Sequence, residues 1–212
     1  MKQILPVLFL IFFSCKLEKK YHDKDDKINY VSSSVSEILA HREKLNGEFK
    51  NPDTSPLPDR YRKDFEGLDF FAPDTNYIIR AKFERTPDAV PFLMSTTTDE
   101  KSWEVIYGIA HFELNGLPHK LEIYQSPNLI QQKIYKNYLF LPFLDETNGE
   151  ETYGGGRYID LTIPDGDSIE INFNKAYNPY CVYNKKYSCP LVPRQNYLKT
   201  RVLAGVKDFN KK

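Results

Sequence analysis

The sequence lacks an excess of either charge: 29 Lys and Arg stand against 29 Asp and Glu in 212 residues, a formal net charge of zero. Proteins that live on phosphate backbones carry surplus cations, so this balance removes the main argument for nucleic-acid binding. It also speaks against an acidic tail or a polybasic membrane patch. Histidine is scarce, with four in the chain and none after His119. There is no G-x-S-x-G elbow and no H-E-x-x-H pair, so neither a Ser–His or Cys–His hydrolase nor a zinc protease is expected. With 10 Gly and 14 Pro, a collagen-like or low-complexity chain is excluded. What is abundant is aromatic: 15 Tyr and 14 Phe favour strands over helical bundles built on Leu and Ala. The length is that of one ordinary domain.

The apolar run from Ile4 to Phe13 is too short to cross a bilayer, since a helix of that length reaches about 15 Å, half of a hydrocarbon core. After Met1-Lys2-Gln3 it reads as the apolar region of a signal peptide, residues 1–14, with a buried N-terminal strand as the competing reading. Ser14-Cys15 resembles the lipobox of bacterial lipoproteins, although Phe12-Phe13 departs from its usual residues. Cleavage before Cys15 and acylation of that residue are expected, with the lipid bilayer as partner, because two or more acyl chains suffice for stable anchoring. Residues 15–30, rich in Lys, Asp and Glu, read as a flexible tether. Lys16 stands where Asp would resemble an inner-membrane retention signal, so the expected location is the cell envelope, at the outer membrane in a Gram-negative source.

Residues 31–212 read as a single β-rich domain. Ser34-x-x-Glu37 is a capping box, and Val35, Ile38, Leu39, Leu45 and Phe49 fall on one stripe, which predicts an amphipathic helix over 34–50 that stops at Asn51-Pro52. Strands are expected near 77–84, 103–114, 117–125, 137–142, 157–163, 168–173 and 197–204. The fold class is therefore mainly β: an antiparallel β-sandwich or partly open β-barrel with one N-terminal amphipathic helix. Asn115-Gly116 marks a two-residue hairpin pairing Leu114 with Leu117, Phe112 with His119, Ala110 with Leu121 and Ile106 with Gln125. That register places Ile106, Ala110, Phe112, Leu121 and Ile123 on the core face and points His111 and His119 to opposite faces, so the two cannot share a metal ion.

The unusual residues crowd between 139 and 207. Phe143-x-Asp145-x-Thr147-x-Gly149, Thr152-Tyr153-x-x-Gly156-Arg157-Tyr158, Phe173-Asn174-x-Ala176-Tyr177-Asn178-Pro179-x-Cys181, Cys189-Pro190-Leu191-x-Pro193-x-x-Asn196 and Ala204-Gly205 resemble domain of unknown function family 1684. The likeness extends upstream through Ser55-Pro56-Leu57 and Phe65-x-Gly67-Leu68. It implies a fold and an envelope lipoprotein subgroup, but no established activity. Asn172 departs from the family's Asp.

From the residues themselves, Gly154-Gly155-Gly156-Arg157 is either a backbone nest for an anion or a tight strand entry in which Arg157 pairs with Asp145 or Glu151. The acidic set Asp145, Glu146, Glu150, Glu151 and Asp160 is either solvated loop or a carboxylate pair for hydrolysis. With Cys15 acylated, Cys181 and Cys189 read first as a structural disulfide worth about 2.5 kcal/mol, with free thiols and redox chemistry as alternatives. The main functional expectation is a non-catalytic domain that binds a small polar molecule, glycan or envelope protein and needs no cofactor or metal. The candidate ligand residues are Asp145, Thr152, Tyr153, Gly156, Arg157, Tyr158, Asn174, Tyr177, Asn178 and Asn196, with Tyr180 and Tyr183 in the same aromatic cluster. The alternatives are an extracytoplasmic hydrolase using Asp145, Glu151 and Arg157, and an assembly subunit with an exposed apolar patch.

Overall fold

A computed structural model describes residues 22–209; the expected signal peptide, residues 1–14, and Cys15 lie outside the described residues. Helix α1 spans His22–Lys50, so the helix begins well before the expected 34 and runs through part of the expected tether. No Gly or Pro stands between 22 and 46, so nothing in the sequence stops it. The capping box is not used: Ser34 is a buried side chain inside the helix, and Ser33 and Ser36 donate back to the carbonyls of Tyr30 and Ser32. The helix ends where expected, with Asn51 N–H bonded to the Gly47 carbonyl. Ile38 and Phe49 are buried on the inner face, while Leu39, placed on the stripe from sequence, is 51% exposed.

Eight strands follow: β1 (Ile78–Arg85), β2 (Phe92–Ser95), β3 (Lys101–Leu114), β4 (Leu117–Gln125), β5 (Tyr138–Asp145), β6 (Arg157–Thr162), β7 (Ser168–Asn172) and β8 (Tyr197–Leu198). They form an antiparallel sheet in the order β6-β5-β4-β3-β1-β7, nearly closed into a barrel, with β2 added to β3 and β8 pairing parallel with β5. The gap beyond β6 is bridged when Tyr177 exchanges two backbone hydrogen bonds with Tyr158, at 2.9 and 3.0 Å. β2 is too short for alternation to reveal it. The last expected strand, 197–204, shrinks to two residues, although Val202, Ala204 and Val206 remain buried at period two.

The Asn115-Gly116 hairpin forms with the expected pairs, including Phe112 with His119 and Ala110 with Leu121. Asn115 and Gly116 take φ of 54° and 75°, the left-handed pair that a tight hairpin turn needs. Further along the ladder the expectation fails. Gly108 pairs with Ile123, but Ile106 pairs with Tyr124, and Val105, not Ile106, faces Gln125. Tyr107 is an extra residue, a β-bulge, and everything before it changes face. Ile106 therefore leaves the main core and packs against Met94, Tyr124, Phe140 and Tyr158 on the other side of the sheet.

Neighbouring groups hold the bulge. The Tyr107 carbonyl accepts from Arg85 Nε at 2.9 Å and from Thr86 N–H at 3.3 Å, and the Arg85 guanidinium lies 3.4 Å from the Tyr107 ring centre. Gly108 is required beside it, because a Cβ there would sit 2.5 Å from two ring carbons of Phe83 and 2.7 Å from the Glu84 carbonyl oxygen. The main core lies on the inner face, with Phe83, Phe112, Leu121, Ile123, Leu141, Phe143, Ile159 and Phe173 at its centre.

Candidate functional site

The residues that stand out in the sequence are mostly consumed by the fold. Arg157 and Asp145 are fully buried and paired, Nη2 to Oδ2 at 2.8 Å. The same guanidinium donates to the carbonyls of Val202 at 2.9 Å, of Val206 at 3.4 Å and of Ala204. Asp145 Oδ1 accepts from the N–H groups of Thr147 and Val202. Burial lowers the pKa of Arg157 and the Asp145 carboxylate opposes it. Gly156, at φ 90°, leads into this arginine where a Cβ would meet the Phe143 carbonyl oxygen at 2.6 Å. The glycines thus form a tight strand entry and not an anion nest.

The remaining polar candidates behave alike. Asn174 exchanges hydrogen bonds with the backbone of Asp74. Its own N–H groups reach Asn172 Oδ1, so the position where the family carries Asp needs only an acceptor oxygen, which Asn supplies. Asn178 donates to the Lys207 carbonyl. Asn196 ties β4 to β5 through Glu122 and Pro142, and Thr152 closes the 147–152 turn with Thr147 and Asn148. Tyr153 turns its carbonyl to Gly156 N–H and Asn148 Nδ2, and Tyr183 is buried against Phe49. Glu150 and Glu151 pair with Arg201 at the surface, so Asp145, Glu151 and Arg157 do not converge on one site. Cys181 and Cys189 are free thiols, so the expected disulfide is not formed in this structure; the Cys181 N–H donates to Cys189 Sγ at 3.2 Å, and the interaction of the two thiols pulls the pKa of Cys181 down and that of Cys189 up.

Only Tyr158, Tyr177 and Tyr180 of the aromatic cluster reach a cavity. It lies between α1 and the outer face of the sheet, has a volume of about 550 Å³ and takes residues from five separate segments. Alternation in β5 and β6 sends Leu139, Leu141, Arg157 and Ile159 inward and leaves Tyr138, Phe140, Tyr158 and Asp160 on the outer face. There Tyr158 packs edge-on to Phe140 at 4.8 Å and to Tyr177 at 5.9 Å. The hydroxyls of Tyr138 and Tyr177 both donate to Asp160 Oδ1, at 2.8 and 2.6 Å. From α1 come His41, Lys44, Leu45 and Glu48, and from the C-terminal loops Tyr180, Tyr187, Cys189 and Pro190.

The floor is Glu104 of β3, 4% exposed. Without the bulge at Tyr107 it would face the main core; the bulge re-aims it outward. Its Oε1 accepts from Ser102 Oγ at 2.7 Å, while Oε2 is buried with no hydrogen-bond partner. Sequence reasoning missed Glu104, Tyr138 and the α1 residues. An isolated glycine inside a strand pattern, Gly108, is the one local signal for the bulge. Among the described residues no group of three or more His, Cys, Asp or Glu could hold a metal.

The family described as protein of unknown function, DUF1684, matches residues 63–207. The chain is also similar to an uncharacterized protein of Haloarcula marismortui whose structure was solved by solution NMR. The two share 31% identity over 86% of this chain and 96% of that one, with a TM-score of 0.65. No curated protein matches.

Several titratable groups of the pocket are shifted by burial. Burial pushes the Glu104 carboxyl from 4.5 to about 6, partly offset by the Ser102 hydrogen bond. Burial, with Lys175 and Lys44 nearby, lowers His41, which is therefore neutral at pH 7. The tyrosines Tyr138, Tyr158 and Tyr177 are raised by burial and act only as neutral donors. Because the folded state holds the Glu104 proton more tightly than the unfolded chain, this group costs stability as pH rises from about 4.5 to about 6, and the full cost persists above. Wild type should therefore lose about 2 kcal/mol more than Glu104→Gln between pH 4 and pH 7 in paired denaturant titrations. Equal losses in the two proteins would show that Glu104 is not desolvated.

Proposed function

The chain belongs to the DUF1684 family of proteins of unknown function, and on that footing we propose that it is a cell-envelope lipoprotein, anchored through acylated Cys15, whose β-domain binds a small polar molecule in the pocket under α1. The observation that carries the binding reading is the pocket's composition. A cavity of about 550 Å³ is of small-molecule size, and its tyrosine walls offer faces for stacking and hydroxyls for hydrogen bonds. One of its lining residues, Glu104, carries a buried carboxylate oxygen with no partner, and such an atom costs stability until a donor reaches it. The lipoprotein reading rests on the short apolar run ending in Ser14-Cys15. It makes the folded domain a lipid-tethered receptor for a solute of the envelope.

Two experiments test these two halves separately. Cys15→Ala should move the protein from the membrane fraction to the soluble fraction, and retention in the membrane would contradict the anchor. Native mass spectrometry of the wild-type protein extracted from its own membranes should show a non-covalent small-molecule adduct. Leu129→Trp, which places an indole in the pocket, should remove it. An adduct that survives this variant, or a wild-type protein that carries none, would contradict the pocket as the binding site.

A further inference from the structure

The pocket has a charge pattern that selects among small polar molecules. Its charged lining residues are Glu48, Glu104 and Asp160 against Lys44. Lys44 and Glu48 pair with each other across one helical turn, at 3.9 Å. Asp160 at the exposed rim and Glu104 at the buried floor are left with no cationic partner among the described residues; their hydrogen bonds come from the hydroxyls of Tyr138, Tyr177 and Ser102. His41, neutral at pH 7, adds no positive charge. The rings of Tyr138, Phe140, Tyr158 and Tyr177 line the same cavity as the two carboxylates.

An anion would meet two carboxylates of its own sign that no cation pairs, one of them, Glu104, buried where Coulomb repulsion is least screened. A neutral polyol could satisfy Glu104 Oε2 with one hydroxyl, but would leave the charge itself uncompensated. A cation does both, since aromatic faces attract positive charge and a buried carboxylate is best satisfied by a charge-assisted hydrogen bond. A quaternary ammonium has no N–H to give to Oε2. Oε2 is buried against the protein, and a partial rotation about the terminal bond of Glu104, a soft torsion, would bring it to the cavity wall, where a donor can reach it.

Resting on the binding reading above, we infer that the ligand is a primary or secondary ammonium compound that places its N–H donor on Glu104 and its charge among the tyrosine rings, with Asp160 drawing it in at the rim. Lys44 and Glu48 on α1 screen the entrance and contribute no net charge.

The test is calorimetric titration of the intact folded protein at pH 7.5 with a matched pair of probes, 2-phenylethylammonium and 2-phenylethanol, repeated on Glu104→Gln and Leu129→Trp. The expected result is that the ammonium binds wild type at least about tenfold more tightly than the alcohol, a gap that one charge-assisted contact supplies. The gap should vanish in Glu104→Gln, whose cooperative thermal transition would show that it is folded. Leu129→Trp should bind neither probe. Equal binding of ammonium and alcohol to wild type would overturn the cation assignment and leave the pocket reading intact. Binding of neither to wild type would also overturn it, and the native-mass adduct then decides separately whether the pocket holds some other molecule. Preferential ammonium binding that persists in Glu104→Gln would overturn the role given to Glu104.

Discussion

Everything in the C-terminal third depends on one buried guanidinium. Arg157 sits in the core with 0% of its side chain exposed and must find acceptors there. It finds Asp145 on the neighbouring strand and three carbonyls of a single extended segment, those of Val202, Ala204 and Val206. That segment is held by isolated backbone contacts, such as Phe71 N–H to the Gly205 carbonyl and Val206 N–H to the Ala176 carbonyl, and no ladder takes the carbonyls of residues 202, 204 and 206. The arginine takes them instead, which is why residues 202, 204 and 206 bury at period two without belonging to the sheet. A buried backbone carbonyl must be paired with something, and one planar fork of donors pairs three.

The local irregularities follow from the same demand. Gly156 at φ 90° passes between the Phe143 carbonyl and Val192, where no Cβ fits, and leads into the arginine, and Gly205 at φ 81° lets the segment pass Phe173 and Ala176, where a Cβ would lie 2.7 Å from the Phe173 carbonyl oxygen. Asn174 and Asn178 play smaller versions of the same part, tying backbone that no ladder reaches, and Asn196 ties β4 to β5. The second constraint is the bulge at Tyr107. It turns β3 over so that its inner half faces the main core and its outer half presents Ile106 and Glu104 to the other side of the sheet. The structural polar network and the pocket therefore lie on opposite faces of one sheet, and β6 shows this directly, with Arg157 inward and Tyr158 and Asp160 outward.

This geometry explains what was legible in the sequence. Alternation and turn chemistry located the long strands and the Asn115-Gly116 hairpin, because those signals are local. The start of α1 was not legible, since a polar stretch with no breaker looks the same as tether or as helix. The bulge displaced Ile106 for a comparable reason: a single extra residue leaves no periodic trace, and only Gly108 hints at it. In the candidate site the difficulty runs deeper. The densest motifs mark residues with exacting structural duties, a buried ion pair, glycines at positive φ and asparagines that cap loose backbone. These are also the residue types that binding sites use. Tyr158 and Tyr177 were visible because they sit within that stretch, whereas Glu104, Tyr138 and His41 come from segments with no motif and meet only in three dimensions.

The central claim is that Arg157 serves the fold and not the ligand. The most direct measurement is equilibrium unfolding of Arg157→Met in urea, a substitution that keeps much of the side-chain volume and removes the charge and donors. Breaking a buried ion pair predicts a loss of about 3–5 kcal/mol, with the carbonyls of Val202, Ala204 and Val206 left without the arginine's donors. A variant as stable as wild type to within about 0.5 kcal/mol, the range of ordinary surface substitutions, would contradict the account.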